Sequence, residues 1–281
     1  MSLSINTNVG SEHAAVAAKK AAAMMNEAMV RLSTGKRINS AKDDAAGIQV
    51  AIRIEAELNG LTQALRNANN AQATVDTAEG ALGEVHTLLL RMREIAVSAS
   101  SDTNSDADRL SLDTEVTALE TEIKRIATST TWGGQVLLNG AFSKGSPMVF
   151  HLGPKRTDNI SVTLGIIDTT AVHAQGSLSL SSNVTTLTNA GNYISTIDRA
   201  ISIVSTRRGV MGAVSNRLSS SIANINNMKA NLTAAKGGVV DADFAEETAK
   251  LARAQILMQA ATAMLAQANA SKQQTLQLLN G

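Results

Sequence analysis

The sequence contains 281 residues with 25 basic and 24 acidic side chains, so its formal net charge is +1, and it has no cysteine. It carries no basic stripe that would attract nucleic acid or an anionic membrane surface, and disulfides and cysteine metal sites are excluded. Only 2% of the residues are aromatic while 44% are hydrophobic, so a core must be built from Ala, Leu, Ile, Val and Met. Such a core suits closely packed helices. The composition by itself does not distinguish this chain from a long coiled-coil protein of any kind.

The first predicted helix covers residues 11–32. Its apolar residues follow one another in steps of four and three, which is the pattern of a coiled-coil seam. They are Ala14, Ala18, Ala21, Met25, Ala28 and Leu32. Ser33-Thr34-Gly35 interrupts the pattern. Ser40, followed three residues later by Asp43, is a capping signal that predicts the start of a second helix near Ala41.

The second helix is predicted over residues 41–100 and the third over 104–130. The second has nine apolar residues in strict 3-4 alternation, Ala68, Ala71, Val75, Ala78, Leu82, Val85, Leu89, Met92 and Ala96. The third continues with Leu112, Val116, Leu119, Ile123 and Ile126. A helix over 41–100 is about 90 Å long at ~1.5 Å per residue, so other helices must flank it.

The middle of the chain changes its period. Gly133-Gly134 and Asn139-Gly140 are turn signals, and the short apolar runs between residues 132 and 165 predict the strands of β-hairpins. Ser, Thr, Gly and Asn dominate after them, so residues 166–184 are predicted to form an exposed loop.

Helical spacing returns over residues 185–235. Gly237-Gly238 predicts a break, and Asp241 or Asp243 is the predicted cap of the last helix. We therefore predict a mainly α fold, a long antiparallel helical rod or coiled-coil bundle with a small central β-hairpin region. The two ends, 1–40 and 236–281, would form one domain, and 41–235 the other.

The last helix has an unusual solvent face. After Ala254 its only charged side chain is Lys272, and its apolar residues have little to bury against in isolation. One interpretation is that both ends become ordered against neighbouring copies, which makes a helical polymer; an intramolecular bundle with a neutral surface is the alternative. The candidate polymerisation residues are Ala14, Ala18, Ala21, Met25, Leu32, Leu257, Ala261, Met264, Leu265 and Leu278.

Catalytic and cofactor sites are not indicated. The four His residues are scattered, without a second ligand at metal-binding spacing, and the Gly-Gly pairs lack the context of a phosphate loop. We therefore expect no enzyme activity and no cofactor. The most apolar late segment, 256–268, is interrupted by polar residues and too short for membrane insertion, and the first residues show no secretory signal peptide.

Several segments resemble the signatures of bacterial flagellins. Residues 31–47, RLSTGKRINSAKDDAAG, resemble the N-terminal signature, and residues 67–70 and 77–82 continue it in order. Near the other end, residues 254–257 and 265–269 resemble the C-terminal signature. The short middle is similar to that of flagellins that keep the filament core domains and lack the large outer ones.

The resemblance implies an extracellular filament subunit that serves swimming motility. It implies export through the flagellar type III system, with an export chaperone on the C-terminal helix, and contacts with filament cap and hook-junction proteins. A hook–filament junction protein shares the terminal helices and is the alternative within this class. A coiled-coil adaptor is a further alternative, but it would carry charged flanking positions and a membrane anchor.

The resemblance also implies a segment that a vertebrate Toll-like receptor recognises. Residues 89–95, LLRMREI, match that segment, and the matching residues are Arg91, Ile95 and, on the third helix, Glu115. Ile95 stands where the family often has Leu. Contacts of Arg91 and Glu115 within or between subunits are the alternative role for these two side chains.

Overall fold

The computed structural model describes residues 7–139, 147–162, 180 and 183–279. The helices are α1 (Val9–Thr34), α2 (Ala45–Ala99), α3 (Asp106–Ser129), α4 (Leu187–Val240) and α5 (Phe244–Leu279). The strands are β1 (Thr131–Trp132), β2 (Gln135–Val136), β3 (Met148–His151) and β4 (Asn159–Val162). The mainly α fold class is confirmed. Of the predicted loop at 166–184, residues 166–179, 181 and 182 lie outside the described residues.

The chain separates into two compact units. The terminal unit contains Met1–Leu58 and Asn231–Gly281, and the middle unit contains Asn59–Ala230. The sequence-based boundaries at 40 and 236 differ, because the structure groups residues 41–58 and 231–235 with the terminal helices.

The core of the middle unit lies along α2, α3 and α4. All nine seam residues predicted on α2 are buried, each with at most 1% of its surface exposed. Tyr193 of α4 is fully buried, and its hydroxyl donates a hydrogen bond to Glu120 Oε1 of α3 at 2.6 Å. Two antiparallel hairpins complete the unit, with Trp132 opposite Gln135 in the first and Phe150 opposite Ile160 in the second. The helical seam of α2 and the predicted hairpins are thus observed, whereas Leu187, the first residue of α4, is 42% exposed.

The start of α2 differs from the prediction. The carboxylate of Asp43 accepts hydrogen bonds from the backbone N–H groups of Asn39 and Ser40, which makes a turn before the helix. Asp44 supplies the N-terminal cap instead, because its Oδ1 accepts from the N–H groups of Ala46 and Gly47. The predicted start at Ala41 is therefore wrong by four residues. A Cβ at Gly47 would lie 2.6 Å from the end of the Ile38 side chain and equally close to the capping carboxylate of Asp44, so a larger residue there would displace both side chains.

The predicted break at Gly237-Gly238 is also wrong, since α4 continues to Val240. Two glycines cost about 2 kcal/mol of helix propensity together. The terminal carbonyl groups of α4 are satisfied by another part of the chain: the backbone N–H of Arg37 donates to Val240 O, and its guanidinium donates to Val239 O, both at 2.7 Å. This external capping explains a helical end that local sequence does not favour.

Candidate functional site: the paired terminal helices

Helices α1 and α5 pack against each other in antiparallel orientation within the terminal unit. The residues at their closest contact are alanines: Ala14, Ala21 and Ala28 of α1 are 8%, 3% and 2% exposed, and Ala254 and Ala261 of α5 are 0% and 7% exposed. Small side chains every seven residues on both helices keep the same face turned to the partner and allow the backbones to approach closely.

The structure selects one of two possible seams on α5. Between Ala254 and Ala268, the half-buried residues are Met258 and Leu265, whereas Leu257 and Met264 are 46% and 64% exposed. Both sets follow a 3-4 alternation with Ala254 and Ala261, so the sequence pattern did not distinguish them. Leu257 and Met264, two of the candidate polymerisation residues, therefore lie on the outward side of the helix pair.

The other candidate polymerisation residues divide between seam and flank. Ala18, Met25 and Leu32 of α1 are half-buried at the edges of the seam. The side chain of Leu278 lies outside the described part of the chain. Ala18, Met25 and Leu32 therefore make contacts inside the terminal unit while part of their surface stays exposed.

Large apolar side chains remain exposed on both terminal helices. On α1 they are Val9, Val16, Met24, Met29 and Val30, and on α5 they are Phe244, Ile256, Leu257 and Met264. Their exposed fractions reach 69% at Phe244 and 65% at Ile256. Isolated exposed apolar residues are ordinary, but a set of this size on a two-helix unit marks a surface for association. Sequence reasoning missed Ile256, which the pattern of neutral residues after Ala254 could have included.

A buried ion pair lies near one end of the helix pair. The side chain of Glu247 on α5 is 5% exposed, and its Oε1 accepts from Arg31 Nη1 at 3.3 Å and from Lys250 Nζ at 2.9 Å. Glu27 extends the network with a 2.6 Å contact to Arg31. Burial by itself raises the pKa of Glu247, but the hydrogen bonds from Lys250 and Arg31 outweigh burial, and the pKa is lowered. The carboxylate is therefore held in its charged form. Sequence reasoning did not find this pair.

The residues proposed for receptor recognition lie in the middle unit. Arg91 Nη2 and Nε contact Glu115 Oε1 at 2.8 and 3.1 Å, and Nη1 contacts Glu94 at 3.2 Å. The hydrogen bond to Glu115 is the main cause that raises the pKa of Arg91. Ile95 is only 3% exposed and belongs to the core. The structure thus brings Arg91 and Glu115 together on the surface and places Ile95 in the core of the same unit.

Over the described ranges, no group of three or more His, Asp or Glu side chains is arranged to hold a metal ion. None of the helices, as far as they are described, combines the length and hydropathy that a membrane span requires.

Paired terminal helices with an alanine seam and an outward apolar surface define a class of protein, helical structural proteins that associate with one another. The model of the bacterial flagellin N-terminal helical region matches residues 5–143, and that of the bacterial flagellin C-terminal helical region matches residues 194–279. The chain belongs to the bacterial flagellin family.

Individual relatives agree with this family. A flagellin of Halalkalibacterium halodurans is 40% identical over 90% of this chain and 91% of its own length. Polar flagellin F of Vibrio parahaemolyticus is 30% identical over 99% of this chain and all of its own length. The crystal structure of Bacillus cereus flagellin has a TM-score of 0.50 and 30% identity, and the match covers 57% of this chain and 88% of that one. The protein is thus a structural subunit of the extracellular flagellar filament and not an enzyme.

Proposed function

We propose that subunits of the filament contact one another through the outward apolar faces of α1 and α5. The observation that carries this proposal is the exposure of Leu257, Met264 and Ile256 on α5. The apolar surface of these side chains is removed from water only when another chain covers it. The half-buried residues Ala18 and Met25 flank the seam on α1 and extend the same surface. The alanine seam holds the two helices together, and the outward residues join one subunit to the next.

The test replaces the outward residues without changing the seam. Leu257→Ser with Met264→Ser should raise the protein concentration needed for filament growth about tenfold or more, because several kcal/mol of apolar contact are lost between subunits. Sedimentation and negative-stain electron microscopy measure this concentration. Leu110→Ser is the matched control, since Leu110 is 60% exposed on α3 of the middle unit. Normal growth of the double variant, with helix content unchanged by circular dichroism, would reject the proposed surface.

We also propose that the chain leaves the cell through the flagellar type III system with an export chaperone on its C-terminal helix. The neutral, apolar surface of α5 supports this role, because an unassembled subunit needs that surface shielded until it reaches the filament end, where cap and hook-junction proteins are its further partners. In flagellated cells that lack their own flagellin, the Leu257→Ser, Met264→Ser variant should lose copurification with the export chaperone, whereas Leu110→Ser should keep it. Equal recovery of chaperone with both variants would contradict a chaperone site on this face.

A third proposal concerns the vertebrate Toll-like receptor. Arg91 and Glu115 are exposed and hydrogen-bonded to each other, so they present a charged pair, and Ile95 contributes through the core contacts that hold α2 in place. Arg91→Ala should reduce the response of receptor-reporter cells to purified monomer at least several-fold. Arg125→Ala is the control, because Arg125 forms a comparable exposed pair with Glu122 on α3. A response to Arg91→Ala equal to that of the parent would remove this pair from the receptor site.

A further inference from the structure

The alanine seam of the terminal unit does not by itself define how α1 and α5 are aligned. Ala14, Ala21 and Ala28 repeat every seven residues, and so do Ala254, Ala261 and Ala268. Sliding α5 by seven residues, about 10.5 Å along the axis, brings alanines opposite alanines again. Another feature must therefore distinguish the observed alignment from one that is shifted by a heptad.

We propose that Glu247, through its buried ion pair with Arg31, sets the register in which α1 and α5 pair. Glu247 lies seven residues before Ala254 and occupies the same position of the repeat, where it is 4% exposed. Among the described residues of the terminal unit, Glu247 is the only charged residue that is buried. Its Oε1 lies 3.3 Å from Arg31 Nη1. A single polar residue in an apolar seam is a known means of fixing the register of paired helices.

A shift toward Ala261 shows why the charge matters. If Ala261 took the place of Ala268 beside Gly10, Glu247 would take the place of Ala254 among the alanines of α1. The carboxylate would then be buried away from Arg31, while Lys250 on the same helix would move with it. A buried charge that loses a partner is strongly disfavoured, so the shifted alignment is excluded by Glu247 and not by the alanines.

Other contacts agree with the observed register but do not depend on residue 247. Asn8 Nδ2 donates to Ala268 O at 3.2 Å, and the backbone N–H of Ala242 donates to Gly35 O at 3.0 Å. A shift of α5 requires a longer connection between α4 and α5. About six residues at the end of α4 would supply roughly 10 Å if they unwound from helix to extended chain. Gly237 and Gly238 lie in that stretch and lower the cost of unwinding it, although the shift would also break the hydrogen bonds from Arg37 to Val239 O and Val240 O.

The absence of cysteine from the sequence allows the two alignments to be measured by disulfide formation. A Cβ at Gly10 would lie 3.6 Å from the Cβ of Ala268, within the range of a disulfide. Gly10→Cys with Ala268→Cys therefore reports the observed register, and Gly10→Cys with Ala261→Cys reports the shifted one. The full-length chain is oxidised mildly at low concentration, and intrachain disulfides are identified by gel mobility and peptide mass.

Adding Glu247→Ala should raise the Gly10–Ala261 disulfide yield about fivefold or more and lower the Gly10–Ala268 yield. Glu246→Ala is the matched control, because Glu246 is exposed and also pairs with Lys250 at 2.9 Å; it should leave both yields unchanged.

Three results would overturn the inference. Unchanged yields in Glu247→Ala mean that the ion pair has no influence on register. A fall of both yields means that Glu247 stabilises the helix pair without selecting its alignment. Failure of the Gly10–Ala268 disulfide to form in the parent removes the pairing on which the inference rests. The measurement concerns contacts within one chain, so it does not depend on the faces proposed for contacts between subunits.

Discussion

The two units use different side chains to hold helices together. In the middle unit, α2, α3 and α4 bury Leu82, Leu89, Met92 and Ile123 with no more than 1% of their surface exposed. In the terminal unit the seam consists of alanines, and several larger apolar residues of α1 and α5, among them Val16, Ile256 and Met264, face outward. A buried leucine contributes about 1.5–3 kcal/mol from removal of its surface from water, and an alanine contributes far less. The middle unit therefore has a core of large buried side chains, whereas the terminal unit leaves much of its apolar surface exposed.

Leu89→Ala should give the largest effect on the isolated subunit. It removes a fully buried side chain from the middle unit and should cost about 2–5 kcal/mol. Urea unfolding followed by the fluorescence of Trp132, the single tryptophan of the chain, measures the middle unit. Leu257→Ala changes the same residue type in the terminal unit, where it is 46% exposed, and should cost less than about 0.5 kcal/mol when urea unfolding of the helices is followed by circular dichroism. Equal losses would show that the two units do not differ as described.

Arg109→Ala should give the next largest loss. Arg109 is 8% exposed, and its guanidinium donates to Ala99 O and Ser101 O, both at 3.0 Å, so it caps the C-terminal end of α2 from α3. Leaving these carbonyl groups without a charged donor should cost about 1.5–3 kcal/mol by urea unfolding. Arg125→Ala, which removes an exposed arginine from the same helix, should leave the transition unchanged. If Arg109→Ala unfolded at the same urea concentration as the parent, the proposed capping role of Arg109 would be contradicted.

Two glutamates should respond to acid with opposite sign. The pKa of Glu247 in the terminal unit is lowered by its cationic partners against the effect of burial, so its contribution to stability is present above its ordinary value of 4.5 and is lost as the pH falls through the lowered pKa. Burial raises the pKa of Glu120 in the middle unit, despite the hydrogen bond from Tyr193. Its contribution favours folding increasingly as the pH falls through that raised pKa towards 4.5.

Matched amide variants separate these effects. The difference in unfolding midpoint between the parent and Glu247→Gln should shrink as the pH is lowered from 7 to below 4.5. The stability of the parent should gain from acid as the pH falls from the raised pKa of Glu120 towards 4.5, and Glu120→Gln should remove that gain. A parallel pH dependence in both pairs would contradict the opposite shifts.

The smallest effect is expected from an exposed ion pair between α2 and α4. Arg208 contacts Glu79 Oε1 through Nε at 3.0 Å and Nη2 at 2.8 Å, but both side chains are about 40% exposed. Arg208→Ala should therefore change the free energy of unfolding by about 0–1 kcal/mol and less in high salt. A loss as large as that of Leu89→Ala would mean that charged pairs, and not the leucine core, hold the middle unit together.

Helical periodicity predicted the middle unit well for a physical reason. Along α2 a single 3-4 alternation of Ala, Val, Leu and Met leaves one face that can be buried, and all nine predicted residues are buried. Along α5 nearly every residue after Ala254 is apolar or neutral, so two faces satisfy the same spacing. Leu257 and Met264 were placed on the heptad pattern by that ambiguity, and the partner helix selected Met258 and Leu265 instead.

The sequence by itself therefore determined the mainly α class, the helices, the hairpin region and the family, because these depend on local periodicity, turn residues and signature segments. Tertiary structure alone decided where distant segments meet. Arg37 allows α4 to continue through Gly237-Gly238, Ile95 lies in the core while Arg91 is exposed, and Arg31 meets Glu247 although 216 residues separate them. Each outcome depends on which surface a second helix covers and which backbone groups it satisfies, and no spacing within one segment contains that information.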